Sequence, residues 1–110
     1  MANQRKLVVF PAKDLDGQKK IFNTLLGTDP YIDGPYYVGF RAEGLEVGLD
    51  PNATGGPICY WDVDDIAASV QSLIEAGATL DQAATDVGRG LLIAKVKDAD
   101  GSVIGLRQSS

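Results

Sequence analysis

Apolar residues recur along this chain with two alternating periods, one of a strand and one of a helix. Residues 6 to 10, Lys-Leu-Val-Val-Phe, form a short run with β-branched and aromatic content, bounded by Pro11, which predicts a strand. Asp14 then offers an N-cap, Leu15, Phe22, Leu25 and Leu26 fall near helical spacing, and Gly27 followed by Pro30 is a stop. An amphipathic helix from Asp14 to Leu26 is expected. Tyr36 to Ala42 and Leu45 to Asp50 read as two strands joined by a tight turn at Glu43-Gly44, with a brief strand near Tyr31. The stretch Pro51-Asn-Ala-Thr-Gly-Gly-Pro57 is turn and loop chemistry at almost every position, and reads as a linker.

Beyond the linker the same order returns. Ile58 to Val63 reads as a strand, and Asp64-Asp65 caps a helix whose apolar positions Ile66, Val70, Leu73 and Ile74 recur at helical spacing until Gly77. Thr79 to Val87, Leu91 to Lys97 and Val103 to Arg107 supply three further strands, the last two joined by the turn Asp98-Ala-Asp-Gly101. Cap and stop lie 13 residues apart in the first half and 12 in the second, and the halves end alike, in Glu46-Val-Gly-Leu49 and Val103-Ile-Gly-Leu106. The chain is therefore expected to be one domain of two tandem βαβββ units, residues 5–50 and 58–108, around the linker 51–57. It is a duplication and not a solenoid, which needs three or more repeats.

That arrangement, together with Tyr60-Trp-Asp-Val-Asp-Asp-Ile66, Leu25-Leu-Gly27 and the closing Lys97-Asp-Ala-Asp-Gly-Ser-Val-Ile-Gly-Leu-Arg-Gln108, resembles the vicinal oxygen chelate superfamily. That superfamily holds glyoxalase I, bleomycin-resistance proteins and extradiol dioxygenases. Tyr36-Tyr-Val-Gly-Phe40 with Val47-Gly-Leu-Asp-Pro51 also looks like a bacterial glyoxalase-like subgroup. The resemblance runs from about residue 6 to residue 108. It implies an α+β fold in which the two units form a curved mixed sheet, a cup, with the helices on the outer face. It implies no single activity, because the superfamily spans lyases, oxygenases, transferases and binding proteins.

In metal-using members each half gives one ligand from its first strand and one glutamate from its last. Carried over position by position, the first-strand slots fall on Leu7 and Ile58, seven residues before Asp14 and Asp65, and the last-strand slots on Gly48 and Gly105. Aliphatic side chains and glycine offer a divalent cation nothing better than its own water shell. No metal and no other cofactor is expected. Alternation then says what lines the cup: if Ile58 faces inward, so do Tyr60 and Asp62, while Cys59, Trp61 and Val63 face the helix. Leu7, Val9 and Pro11 follow from the first strand, Glu46, Gly48 and Asp50 from the fourth, and Val103, Gly105 and Arg107 from the last. The candidate ligand-binding residues are thus Val9, Glu46, Gly48, Tyr60, Asp62, Gly105 and Arg107, with the two glycines leaving room for a guest to approach the sheet. Duller assignments absorb the rest. Trp61 is expected to pack under the second helix, Cys59 to be a small buried apolar residue, Asp98 to Gly101 to be a turn and not a calcium loop, and Gly88-Arg-Gly90 to be a turn.

Composition narrows the chemistry further. The 110 residues include no histidine, so Ser-His-Asp and Cys-His pairs, a histidine base and every histidine metal site are excluded from this chain alone. The single cysteine cannot close an internal disulfide. With 15 acidic against 10 basic residues the net charge is −5, which argues against nucleic acid and suggests a cationic or aromatic guest. No apolar run suffices to span a membrane, and the residues after Met1 carry no apolar signal core, so a cytoplasmic protein is expected. The function these readings favour is a metal-independent small-molecule-binding protein of the glyoxalase or bleomycin-resistance type, sequestering an antibiotic or metabolite as a homodimer. The other readings are a metal-independent lyase or isomerase with Asp62 or Glu46 as general base and Tyr60 as hydrogen-bond donor, and a partner-binding scaffold. The linker length is compatible with each cup lying within one chain or being built by exchange of halves.

Overall fold

The computed structural model describes residues 2–109. The described residues divide into two compact units, Arg5–Ile58 and residues 59–109, with residues 2–4 grouped with the latter. In the first, the elements are β1 (Ala2–Pro11), α1 (Leu15–Leu26), β2 (Ile32–Asp33), β3 (Val38–Ala42) and β4 (Leu45–Asp50). The strands lie in the order β2-β3-β4-β1, with β1 parallel to β4 and the other neighbours antiparallel. In the second, β5 (Ile58–Val63), α2 (Ile66–Glu75), β6 (Thr79–Asp86), β7 (Leu92–Lys97) and β8 (Val103–Gln108) repeat that topology. Their order is β5-β8-β7-β6, with β5 parallel to β8. The α+β class is as the resemblance implies, and the βαβββ order within each half is as the periodicity predicts.

Local chemistry sets the ends of the elements. Asp14 caps α1, its Oδ1 accepting from the Gly17 amide at 3.1 Å, and Asp65 caps α2 through the Ala68 amide at 3.1 Å. Gly27 closes α1 in the left-handed region at φ 66°. At the end of α2, Gly77 N–H donates to Ile74 and Ala78 N–H to Leu73, the paired bonds of a Schellman motif that needs the positive φ of Gly77. Glu43 and Gly44 both have positive φ, 48° and 86°, and Ala42 pairs with Leu45, so β3 and β4 are joined by a two-residue type I′ turn. That turn fixes the register which places Arg41 opposite Glu46 and Gly39 opposite Gly48.

Each unit buries its own apolar cluster between helix and sheet. In the first, Ala12, Val38, Phe40, Val47 and Leu49 are buried, with Phe10, Leu15, Phe22, Leu26 and Leu45 packed on them, and the Phe10 and Phe22 rings lie 5.0 Å apart. In the second, Val63, Ile66, Ala94 and Leu106 are joined by Val70, Leu73 and Leu92. The Gln108 side chain also accepts from the Ile66 amide at 2.7 Å, tying the last strand to the start of α2. Because neighbouring strand residues face opposite ways, these clusters turn Leu7, Val9, Glu46 and Gly48 of the first unit away from the helix, and likewise Tyr60, Asp62, Gly105 and Arg107 of the second.

Three details depart from the sequence reading. β1 starts at Ala2, ahead of the apolar run that announces it. β6 is exposed almost throughout and pairs with β7 through two register shifts, where the pattern suggests a regular strand. Trp61 does not belong to the second core. It shares the parity of Val63 but is 36% exposed, since the cluster beneath α2 is already filled by shorter aliphatic side chains.

Candidate functional site

In the second unit, parallel pairing of β5 with β8 sets Tyr60 beside Gly105 and Asp62 beside Arg107. The Arg107 Nε donates to Asp62 Oδ1 at 2.5 Å, and the two side chains are only 10% and 8% exposed. Removing two charges from water is costly unless they compensate each other, and here they do. Tyr60, 7% exposed, lies over Gly105 so closely that a Cβ there would overlap its ring. The room expected at Gly105 is therefore taken by a tyrosine of the same unit.

The first unit does the same by another route. Gly48 pairs with Val9 on one side and Gly39 on the other, a strip of sheet without side chains across two strands. Tyr37, from the irregular segment before β3, covers it, and a Cβ at Gly48 would overlap the phenol. Tyr31 and Tyr37 together flank Gly39. The vacancy expected at Gly48 is likewise filled, because an aromatic ring over glycine removes apolar surface from water that a bare strip of backbone would expose.

Beside these rings the charges of the first unit form an ordered row. The Tyr31 hydroxyl donates to Glu46 Oε1 at 2.7 Å, Arg41 Nε lies 3.5 Å from the same oxygen, and the Arg41 guanidinium carbon sits 4.0 Å from the Tyr31 ring centroid. Glu46 is 17% exposed and Arg41 67%. Arg41 and Glu46, with Arg5, Gly44 and Leu45, line a hollow of about 300 Å³. Of the residues expected to bind a ligand, Glu46 is in this wall. Val9 and Gly48 lie on the same face of that sheet, and Tyr60, Asp62, Gly105 and Arg107 form the buried group of the second unit. Sequence reasoning missed Tyr31, Tyr37, Arg5 and Arg41. Arg41 was within reach, since a two-residue turn at Glu43-Gly44 puts it directly across from Glu46; Tyr37 was placed by the pattern in a strand from Tyr36 to Ala42, whereas β3 begins at Val38 and Tyr37 lies just before it.

No protein-family model and no curated protein matches the chain. Solved structures do. A Vibrio splendidus member of the glyoxalase/bleomycin resistance protein/dioxygenase superfamily superposes with a TM-score of 0.72 over 96% of this chain and 98% of its own, at 20% identity. The fold is that of the glyoxalase/bleomycin resistance protein/dioxygenase superfamily. A Legionella pneumophila protein named as an NAD-dependent benzaldehyde dehydrogenase gives 0.78 over 96% and 99% at 18% identity. The methylmalonyl-CoA epimerase of Mycobacterium tuberculosis gives 0.63 over 96% and 86% at 17%. At such identities the likeness is one of fold, and a fold carries no particular reaction.

The superfamily's metal ligands can be tested against the side chains present. Leu7 is buried, Ile58 half-buried, and neither has a donor atom, while Gly48 and Gly105 lie beneath tyrosine rings. The nearest carboxylate on each face is engaged, Glu46 by Tyr31 and Arg41, and Asp62 by Arg107. Among the described residues no three of the acidic or cysteine side chains are grouped as a metal site requires. These positions do not fit a divalent cation held in the superfamily's manner. Among the described residues, no helix is long and apolar enough to cross a membrane.

Proposed function

We propose that the protein is a metal-independent binder of small organic molecules, acting in the cytoplasm as a homodimer that sequesters a metabolite or antibiotic without altering it. The observation that carries this reading is the hollow beside Glu46, on the sheet face turned away from the helix and walled by side chains already held in place. A concave site with a few fixed polar groups is what ligand recognition asks for. The carboxylates that a general-base mechanism would use, Glu46 and Asp62, instead hold arginines, and this supports binding over turnover.

A thermal-shift screen of small organic compounds, run with and without a chelator, tests the proposal. A guest present at a hundred times its dissociation constant stabilises by about 2.7 kcal/mol, an expected rise in Tm of about 10 °C or more for a domain of this size. The rise is expected to be the same in chelator, the guest to be recovered unchanged, and light scattering to give twice the chain mass. Binding that vanishes on chelation, or a guest that is converted, would falsify the reading.

A further inference from the structure

The hollow has a chemistry of its own, different from that of the whole chain. Its charged walls are Arg5, Arg41 and Glu46, two positive and one negative, a local excess of one positive charge in a protein of net charge −5. At physiological salt a charge is screened beyond about 8 Å. What a bound molecule experiences is therefore set mainly by the walls and by their chain neighbours, of which Lys6 and Glu43 carry one charge of each sign. Arg41 is also held in advance of any ligand, by the Tyr31 ring beneath it and by Glu46 at its Nε. The Glu46 contact uses the inner nitrogen and not the terminal fork, and two-thirds of the side chain remains exposed. A guanidinium fixed in this way presents a planar pair of donors with little freedom left to lose.

We infer that this hollow binds a small organic monoanion, a carboxylate, with Arg41 and Arg5 as its charge partners. The assignment rests on the binding function proposed above and names its ligand class. A carboxylate matches the flat fork of a guanidinium with two parallel hydrogen bonds. A phosphate dianion would match the fork as well, but would place a second negative charge against Glu46 in a site whose excess is a single positive one. The chain's net charge favours a cationic guest, and the charges of the hollow reverse that preference.

Calorimetry on the chelated protein at about 0.15 M salt, with phenylacetate, phenethyl alcohol, phenethylamine and phenyl phosphate as probes, decides the matter. Phenylacetate is expected to bind at least ten-fold more tightly than the alcohol, the amine or the phosphate. A charge-assisted bond lost from such a site corresponds to about ten-fold or more in affinity, so Arg41→Gln and Arg5→Gln are each expected to weaken phenylacetate by that factor. Arg41→Lys, which keeps the charge and loses the fork, should not restore it. Lys20→Gln, which removes an equal charge from α1, should leave it unchanged. Glu46→Gln is the sharpest arm: the amide oxygen can still accept from Tyr31, the negative wall is gone, and phenylacetate should bind several-fold more tightly. Preference for the amine or the phosphate, or weaker binding in Glu46→Gln, overturns the assignment. If phenylacetate fails while other compounds of the thermal-shift screen bind, the monoanion is wrong and the binding function stands. If nothing in that screen binds, the binding function is itself wrong.

Discussion

The two halves of this chain use one backbone plan and spend their polar residues in opposite ways. Both set a first strand parallel to a last one, both place glycine in that last strand on the face away from the helix, and both cover it with a tyrosine. Both also carry an arginine and a carboxylate paired across neighbouring strands of that face. In the second half the pair is Asp62 with Arg107, about nine-tenths buried, and its cover, Tyr60, comes from the adjacent strand. In the first half it is Glu46 with Arg41, where the arginine remains mostly exposed beside a hollow and the ring over Gly48 comes from an irregular segment. The same charge chemistry is thus an internal brace in one half and a presented surface in the other. Burial, not residue type, separates the two.

The largest expected effect comes from breaking that contrast at the two arginines. Arg107→Ala strands a buried carboxylate and should cost about 3–5 kcal/mol in chemical denaturation. Arg41→Ala removes an exposed partner and should cost less than about 1 kcal/mol. Equal losses would show that the two pairs are alike after all. A smaller effect is expected at the glycines, where a methyl group must displace a ring: Gly48→Ala and Gly105→Ala should each cost about 1–3 kcal/mol. Gly48→Ala combined with Tyr37→Ala should be less destabilised than the sum of the single variants, because removing the phenol makes room for the added carbon. Additive losses would mean that Tyr37 is not what fills the vacancy. Smallest, and expected to be alike, are the caps: Asp14→Ala and Asp65→Ala should each cost about 1 kcal/mol. A much larger cost in one half would place a helix start among the features that distinguish the halves.

How much of this was legible in the sequence depends on the length of chain over which each feature is written. The helices, their aspartate caps and the common facing of Val9 and Glu46 within their strands, and of Tyr60, Asp62 and Arg107 within theirs, away from the helix, follow from periods of two and 3.6 residues, which act between near neighbours. The turn at Glu43-Gly44 is equally local. Asp62 and Arg107, by contrast, are 45 residues apart, and only the parallel register of β5 and β8 makes them partners. Considered one at a time each looks like an ordinary strand charge; as a pair they are the most buried charges of their unit. The cover over Gly48 was hidden for a different reason. A glycine at a strand position signals that something comes close, but it does not say whether that is a ligand or a side chain of the same chain. Tyr37 supplies the answer from a position that the pattern reads as strand and the structure places just before β3.

The two-residue turn between β3 and β4 has a consequence for how such a protein can change over generations. Because strand side chains alternate, one residue added to or lost from Glu43-Gly44 would shift the pairing and turn one strand over. Arg41 would then be driven toward the aromatic cluster, and Phe40 would take its place beside the hollow. Point substitutions around the hollow can retune what it recognises step by step, whereas a change in turn length would exchange the recognition surface and the core in a single event. Drift in length is thus closed to this turn and open to the exposed run Thr54 to Pro57, and new specificities are expected to arise by substitution along the first and to tolerate insertion only in the second.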